Sequence, residues 1–275
     1  MSQGNNIEIR PFSYEELPGM SHLSADAGWN QPEDELKEII RRSEKYILGA
    51  FYGRQIVGMA AFCPFPDGGF ACLNEVLVDQ QWRRKGLACR ILEQLIPLAA
   101  ADYPVHRLCA TDMGRPLYER FGCFPYAVLD YGTLSFKEIP EPDGVILPAG
   151  LEHLPGMCAL DRRVYGADRS AMIRSCAMRF PADTWYIEQN GSMTGFIIRA
   201  GNKYLAQASD TDDLAALICH ADKHSEKQQA VLIRHEILEK MQCSMKRIFS
   251  LTAMQSGNGL AVPEASASTM LPDIG

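Results

Sequence analysis

The chain contains 275 residues, of which 47% are hydrophobic, and it carries a net charge of −7 at pH 7. This length accommodates two domains of ordinary size, and the acidic charge is spread over both halves, which argues against a nucleic-acid-binding protein. The sequence contains no run near the ~20 apolar residues of a membrane span, and its first six residues lack the features of a signal peptide, so we expect a cytoplasmic protein that is not bound to membranes.

The first eighty residues predict a strand, two helices and three strands. Ser13 and Glu16 have the spacing of a capping box, and Trp29 and Asn30 lie in the loop between the two helices. The second helix has acidic residues in its first turn and basic residues in its last, as the helix dipole favours. The predicted elements are a strand at 7–11, helices at 13–27 and 32–42, and strands at 46–51, 56–62 and 73–78.

A basic turn joins the strand at 73–78 to a helix that begins at Gly86. The turn carries Arg83, Arg84 and Lys85, the helix start offers unpaired backbone N–H groups, and the glycine lets a ligand approach the backbone. We therefore predict phosphate binding here; the alternative is an ordinary basic helix start with solvated charges. The chain has neither Gly-x4-Gly-Lys-Ser/Thr nor Gly-x-Gly-x-x-Gly after a strand, which disfavours NTPase and dinucleotide sites.

This turn resembles the acetyl-CoA-binding motif of the GNAT N-acetyltransferases, Arg/Gln-x-x-Gly-x-Gly/Ala, which here is Arg83-x-x-Gly86-x-Ala88. The resemblance implies that the amides of the turn hold the pyrophosphate of the coenzyme, while the preceding strand pairs with its pantetheine arm. The residues implied in coenzyme binding are Val76, Leu77, Val78, Arg83, Arg84, Lys85, Gly86, Leu87 and Ala88. Acetyl-CoA would be a co-substrate, and no metal is implied.

A second signature of the same family follows. After a helix that Pro97 should kink or end and a strand at 106–110, the segment 115–123 contains Tyr118 close to an apolar-Gly-apolar sequence around Gly122. It resembles the GNAT segment whose tyrosine faces the coenzyme sulfur, which implies that Tyr118 protonates the departing thiolate. A half-buried aromatic residue on a helix face is the alternative.

Glu75 is a carboxylate in an otherwise apolar strand. Burial there is costly unless the group is paired, and it would raise the pKa toward the range useful for a base. The family often has a glutamate at this place, so the resemblance implies that Glu75 accepts a proton from the amine. A structural carboxylate, satisfied by the backbone or by an arginine, is equally compatible with the sequence.

The second half of the chain repeats the first. A linker-like segment at 138–144 precedes it, and residues 185–198 echo residues 48–61, with Gly58 and Gly195 placed 137 positions apart. We predict two domains, 1–140 and 141–275. After the central strand of the second copy, at 204–208, acidic residues replace the basic turn, and acids suit a helix start but repel pyrophosphate. The tail after Gly257 is predicted as either a last strand or a loose end.

Residues 27–31 and 160–169 resemble bacterial tandem GNAT proteins whose C-terminal half is a degenerate acetyltransferase-like domain, and this resemblance covers nearly the whole chain. This implies an α/β fold of two GNAT-like domains, each a mainly antiparallel central sheet flanked by helices. It also implies an acyltransferase that moves acetyl from acetyl-CoA to a small-molecule or amino-acid-like amine. The resemblance further places Trp29 and Asn30 at the acceptor site, with Tyr165, Asp168 and Arg169 facing it from the second half.

Two other functional classes stay open from the sequence. One is a coenzyme-A-binding regulatory module without turnover, and the other is a scaffold in which both copies serve association. Retention of Glu75 and Tyr118 beside the phosphate turn argues against the scaffold and mildly against the regulatory module. The sequence leaves open whether the chain forms a homodimer.

Nine cysteines, none in a Cys-x-x-Cys pair, lie mostly inside apolar segments. This usage is typical of free, buried thiols in a reducing compartment. The nearest approach to a metal cluster is Cys219 with His220 and His224. It lacks a second pair of ligands, so we expect no metal there.

Overall fold

The computed structural model describes residues 7–29, 31–200, 203–226, 228–257 and 268–270. The strands are β1 Ile7–Pro11, β2 Ile47–Tyr52, β3 Gln55–Phe65, β4 Phe70–Val78, β5 Val105–Ala110, β6 Phe124–Phe136, β7 Val145–Pro148, β8 Thr184–Gln189, β9 Ser192–Ala200, β10 Lys203–Ala208, β11 Val231–Arg234, β12 Cys243–Ser256 and β13 Ser268–Met270. The helices are α1 Leu17–Asp26, α2 Glu33–Ser43, α3 Leu87–Ala100, α4 Arg115–Glu119, α5 Leu154–Tyr165, α6 Ser170–Arg179, α7 Thr211–Lys223 and α8 His235–Lys240. None of these described helices has the length and apolar character needed to cross a bilayer.

The described strands join into one sheet in the order β1-β2-β3-β4-β5-β12-β6-β11-β13-β10-β9-β8-β7. Among the described strands, β4 and β5 are the parallel pair, and the other neighbouring strands run antiparallel. The predicted α/β fold class, a mainly antiparallel sheet flanked by helices, is confirmed. Instead of two separate central sheets, however, the halves share one.

The element order of residues 7–136 recurs in residues 145–256. Both segments run strand, two helices, three strands, helix, strand, short helix and long strand. The same tetrapeptide, Leu-Pro-Gly-Met, opens α1 at Leu17 and α5 at Leu154, again 137 positions apart. Proline suits the first helical turn because its missing N–H would have no partner there. The two helices therefore begin in the same way for the same reason.

Two long strands are exchanged between the halves. The strand β12, from the second half, lies between β5 and β6, while β6, from the first half, lies between β12 and β11. The pair β6 and β12 runs antiparallel from Cys243 opposite Phe136 to Gln255 opposite Phe124. The boundary predicted at residue 140 falls between β6 and β7, but the hydrogen-bonded sheet continues across it.

Helices cover both faces of the sheet in each half. Alternate residues of a strand point to opposite faces, and in β3 Ala60 packs with α3 residues such as Ile91 while Met59 packs with α1 and α2. The second half repeats this arrangement, with α7 on one face and α5 and α6 on the other. All nine cysteines are free thiols and are buried or half-buried, as predicted.

Candidate functional site

A bulge in β4 places Glu75. Leu77 lies opposite Met59 and Asn74 opposite Ala61, so two residues of β4, Glu75 and Val76, share one partner on β3. Glu75 takes the left-handed backbone conformation, with φ 53°, which costs energy for a residue other than glycine. A bulge re-aims a side chain in this way. The strand therefore interrupts its own pairing at the residue predicted to accept a proton.

A gap opens between β4 and β5 beside this bulge. Residues 70–72 pair with residues 105–107, and past this point no described residue of one strand pairs with the other. On its other side β5 pairs with β12 along residues 106–110. The two parallel strands therefore diverge toward the carboxyl end of β4, where Glu75, Val76 and Val78 lie. Unpaired backbone groups at this edge can bind an extended ligand.

The carboxyl group of Glu75 is buried, with 1% of the residue exposed. Its Oε1 accepts a hydrogen bond of 2.9 Å from Gln31 Nε2, whereas its Oε2 has no hydrogen-bond partner among the described residues. Burial raises the pKa of Glu75 to about 7, the hydrogen bond from Gln31 lowers it, and the charge of Glu35 raises it. A carboxyl group with this pKa can act as a base near neutral pH.

The turn from β4 to α3 begins at the end of the same strand. Asp79 accepts a hydrogen bond of 2.8 Å from the Gln81 amide, and Arg83 Nε donates to the carbonyl oxygen of Val78 at 2.9 Å. Gly86, with φ 77°, is the N-cap of α3, and no described side chain caps this helix. A Cβ on Gly86 would meet nothing within 4 Å. The helix start is therefore open, with Arg84 and Lys85 beside it, as a phosphate site requires.

Tyr118 lies on α4, which follows the end of β5. Its ring packs against the core formed by α3 and the first-half strands. Burial, and to a smaller extent the neighbouring Cys123, raise the pKa of its hydroxyl group. The group therefore stays protonated at neutral pH, as a proton donor must.

The predicted acceptor residues separate into two places. Trp29 is 39% exposed, and its amide donates to the carbonyl oxygen of Ser24 at 3.0 Å, which places it in the loop that also carries Gln31. Asn30 lies outside the described residues. Among the described residues, Trp29 therefore lies two positions from Gln31, which contacts Glu75.

Tyr165 and Arg169, which were also expected to face the acceptor site, lie next to each other beside the β3–β4 hairpin. Tyr165 packs on Phe65 at the β3–β4 hairpin, with 6.0 Å between ring centroids. Five residues of β4 separate this hairpin from Glu75, about 16 Å of strand. Arg169 is 4% exposed, forms an ion pair of 2.5 Å with Asp161 and covers the ring of Tyr165 at 3.8 Å.

These contacts hold the two halves together. Arg162 of α5 forms an ion pair with Asp67 of the first half, and Ala167 is buried in the cluster around Phe65 and Phe70. Asp168, which was also expected at the cleft, accepts a hydrogen bond of 2.8 Å from the amide of Ser170 at the start of α6. The loop between α5 and α6 is therefore part of a packing contact between the halves.

Gln31 and Ser24 are the site residues that sequence reasoning missed. Ser24 lies on α1, 1% exposed, and Gln31 follows in the loop after it. No motif predicts the contact of Gln31 with Glu75, because it forms only through the packing of α1 on the sheet. A serine buried on the inner face of a helix was the available signal, since buried hydroxyl groups need a partner.

Potential metal ligands come together in the first half of the chain rather than around Cys219, His220 and His224. Within the part of the chain that the structure describes, ligand atoms of His22, Asp26 and Asp79 lie within 4.8 Å of one another. His220 and His224, where the sequence predicts no metal, stack with 4.5 Å between ring centroids. His224 Nδ1 lies 2.8 Å from the carbonyl oxygen of His220, so that ring is engaged within its own helix.

The second half lacks the residues that correspond to Glu75 and Tyr118. Val78 lies opposite Gly58, and Ala208 lies opposite the repeated Gly195. Because β10 pairs with β9 without a bulge, Ala206, opposite Ile197, takes the place that Glu75 and Val76 share in the first half. Cys123 and Cys243 each follow a short helix, and the residue five positions earlier is Tyr118 in the first case and Leu238 in the second.

The start of α7 is closed by its own side chain. Asp210 accepts hydrogen bonds from the amides of Asp212, at 3.0 Å, and Asp213, at 2.8 Å. The strand β13 lies between β10 and β11, antiparallel to both, in the position of the open gap between β4 and β5. In the first half, the open helix start and the gap between the parallel strands could hold a phosphorylated, extended ligand. In the second half, Asp210 occupies the helix start and β13 occupies the gap.

Comparison with known proteins agrees with this geometry. Residues 8–123 match the sequence model of the Acetyltransferase (GNAT) family. The uncharacterized N-acetyltransferase YitH of Bacillus subtilis (strain 168) is 28% identical over 173 residues, which cover 61% of this chain and 59% of that protein.

Two solved structures resemble nearly the whole chain. A putative acetyltransferase from Pyrococcus horikoshii has a TM-score of 0.77 at 16% identity, covering 98% of this chain and 96% of its own. A GCN5-related N-acetyltransferase from Sphaerobacter thermophilus has a TM-score of 0.64 at 9% identity, covering 95% and 99%. At such identities the likeness shows a shared fold, and it includes both halves.

Proposed function

We propose that this chain, whose residues 8–123 match the GNAT acetyltransferase family, is an acetyl-CoA-dependent N-acetyltransferase. It transfers acetyl to the amine of a small-molecule or amino-acid-like acceptor by direct attack on the thioester. The observation that carries the proposal is Glu75. It is a buried carboxyl group with a pKa of about 7 and one oxygen without a hydrogen-bond partner among the described residues, beside the gap between β4 and β5.

Acetyl-CoA would lie across the end of β4. The open N-terminus of α3, with Gly86, Arg84 and Lys85, suits the pyrophosphate, since helix-start amides and cationic side chains both favour anions. Arg83 fixes the turn by its bond to Val78. The backbone of Val76, Leu77 and Val78 suits the amide groups of pantetheine. The coenzyme supplies the acetyl group as a thioester.

Glu75 would take the proton from the ammonium form of the acceptor. The freed amine attacks the thioester carbonyl, whose oxygen is stabilised by backbone N–H groups at the bulge of β4. The carbon–sulfur bond then breaks, and the thiolate takes a proton from the hydroxyl group of Tyr118. The nitrogen of the new amide releases its remaining extra proton, which restores the hydroxyl group of Tyr118. Burial of Tyr118 keeps that hydroxyl protonated before this step.

The second half would support the fold without binding coenzyme. Ala206 and Leu238 stand where the first half has its two titratable groups, Asp210 fills the start of α7, and β13 fills the gap between β10 and β11. A carboxylate at a helix start repels a phosphate. One acetyl-CoA site per chain follows.

The test is transfer of labelled acetyl from acetyl-CoA to a panel of amines, followed by mass, with Glu75→Gln as the variant. We expect turnover by the native chain and a loss of about 10²–10⁴-fold in the variant, the usual contribution of general base catalysis, with acetyl-CoA affinity retained. Glu33→Gln, which removes an exposed carboxylate of α2, is the control and should keep full activity.

The same experiment separates the proposal from the regulatory alternative. Acetyl-CoA binding at one site without transfer to any amine would favour a coenzyme-A-binding module. Equal turnover by native chain and Glu75→Gln would remove Glu75 from the reaction.

A further inference from the structure

A chain of buried and half-buried polar groups ends on Glu75. The hydroxyl group of Ser24 donates to Gln31 Oε1 at 2.7 Å, and Gln31 Nε2 donates to Glu75 Oε1 at 2.9 Å. The backbone amide of Gln31 also donates back to Ser24 Oγ at 3.4 Å. Ser24 therefore contacts both the main chain and the side chain of Gln31, which restricts the amide plane to one orientation.

In that orientation, Gln31 binds one oxygen of the Glu75 carboxyl group and not the other. Oε1 is bound by a neutral amide, which donates a proton in the hydrogen bond and cannot accept one from the acid. Oε2 is buried and without a hydrogen-bond partner among the described residues. Buried polar atoms in folded proteins nearly always have a partner. A carboxylate with a purely structural role would be expected to use both oxygens.

We propose that Gln31, oriented by Ser24, is a positioning residue that binds Oε1 of Glu75 and leaves Oε2 to accept the proton from the acceptor amine. This inference rests on the proposed acetyltransferase function, which it extends to two residues of α1 and its following loop. The loop that carries Gln31 also carries the exposed Trp29. The group that orients the base is thus next to the predicted acceptor site.

The electrostatics agree with such a role. Burial and the carboxylate of Glu35, on α2, raise the pKa of Glu75, and the hydrogen bond from Gln31 lowers it. A neutral donor stabilises the ionised form without adding a charge that would compete for the ammonium group of the acceptor. Gln31 therefore keeps the base ionisable near neutral pH while it fixes the carboxylate.

The test is titration of Glu75 by NMR in chain labelled with ¹³C at the glutamate carboxyl groups. The variants are Gln31→Met, which keeps the side-chain length and removes the donor, and Ser24→Ala, which leaves Gln31 in place. Ser21→Ala is the matched control, because Ser21 lies on the same helix and its hydroxyl group bonds the helix carbonyl of Leu17 at 3.2 Å.

We expect Gln31→Met to raise the pKa of Glu75 by about one unit, the size of one neutral hydrogen bond. Ser24→Ala should raise it by less, and Ser21→Ala should leave it unchanged. The acid limb of the pH profile of kcat/KM should move to higher pH by the same amounts, while KM for acetyl-CoA stays constant.

Each other outcome decides a separate point. An unchanged pKa of Glu75 in both Gln31→Met and Ser24→Ala overturns the inference, and if Gln31→Met does not fold, Ser24→Ala decides alone. A shifted pKa with an unmoved acid limb overturns the catalytic role. A shifted pKa in a chain that acetylates no amine leaves the positioning intact and overturns the proposed function.

Discussion

Two opposing effects act on the carboxyl group of Glu75. Removal from water favours the neutral acid, whereas the amide of Gln31 favours the carboxylate, and burial is the larger effect because the pKa rises from its ordinary value of 4.5 to about 7. A group whose charged form is disfavoured in the folded chain lowers stability wherever it must ionise. The candidate base is therefore expected to cost folding stability.

The pH dependence of this cost has a definite sign. Below pH 4.5 the group is protonated in both states and costs nothing, between 4.5 and 7 the unfolded chain ionises first, and above 7 the loss is constant at about 3 kcal/mol. Glu75→Gln mimics the protonated acid, so it should be more stable than the native chain at pH 8 and equally stable near pH 4. Urea unfolding at both pH values measures this, and Glu33→Gln should show no such difference. A pH-independent effect would contradict the burial argument.

Tyr118 gives a second prediction at the scale of one residue. Tyr118→Phe keeps the ring packed against the core and removes the hydroxyl group, so kcat should fall by about 10²–10⁴-fold while acetyl-CoA affinity changes little. Because nine cysteines would disturb a thiol reagent, the product should be followed by mass. Turnover at the native rate would leave water as the proton source.

At the scale of elements, the starts of α3 and α7 occupy the same position in the two halves but differ in whether a side chain binds their amides. The helix α3 follows β4, and α7 follows β10, the fourth strand of each half. Both helix starts offer unpaired amides with a positive partial charge. In α7 the side chain of Asp210 takes those amides. In α3 the N-cap is Gly86, which has no side chain to do so and whose φ of 77° suits glycine.

Gly86→Glu should therefore abolish acetyl-CoA binding, because its carboxylate would lie where the pyrophosphate belongs. Gly191→Glu is the matched control, since Gly191 also has positive φ, 74°, and open space around it, but lies in the β8–β9 turn of the second half. Both variants carry similar backbone strain, about 1–2 kcal/mol. Calorimetry should show one site in the control and none in Gly86→Glu. Two sites in the native chain, or binding by Gly86→Glu, would contradict the assignment.

At the scale of the whole molecule, the exchange of β6 and β12 links the halves through the middle of the sheet. Without β12, the strand β5 would lose one neighbour and β6 would lose its longest pairing. An edge strand exposed in this way is prone to non-native association. Each half therefore depends on a strand that lies in the other half of the sequence.

A specific protease site inserted between Pro140 and Glu141 tests this dependence. After cleavage the two fragments should co-elute in gel filtration and melt together, because twelve residue pairs of β6 and β12 and the Arg162–Asp67 ion pair join them. The segment 1–140 expressed alone should be poorly folded. Separation of the cut fragments under native conditions would show that the halves are independent domains.

Local patterns in the sequence predicted most elements and several candidate residues. The capping box, the basic turn with Gly86 and the buried acid Glu75 are each encoded within a few neighbouring residues, where propensity, capping and strand periodicity act. The repeated Gly58 and Gly195 similarly indicated two copies of one element order. Such features depend on short-range geometry, so they can be derived before the chain is folded.

Tertiary packing decided the rest. Gln31 meets Glu75 across 44 positions of sequence, β12 inserts between β5 and β6, and Arg169 forms a buried ion pair with Asp161. None of these contacts leaves a local pattern, because strand order and buried polar pairs depend on which distant surfaces pack together. The sequence by itself determined the elements and the chemistry that each carries, and the sheet determined which of these groups meet.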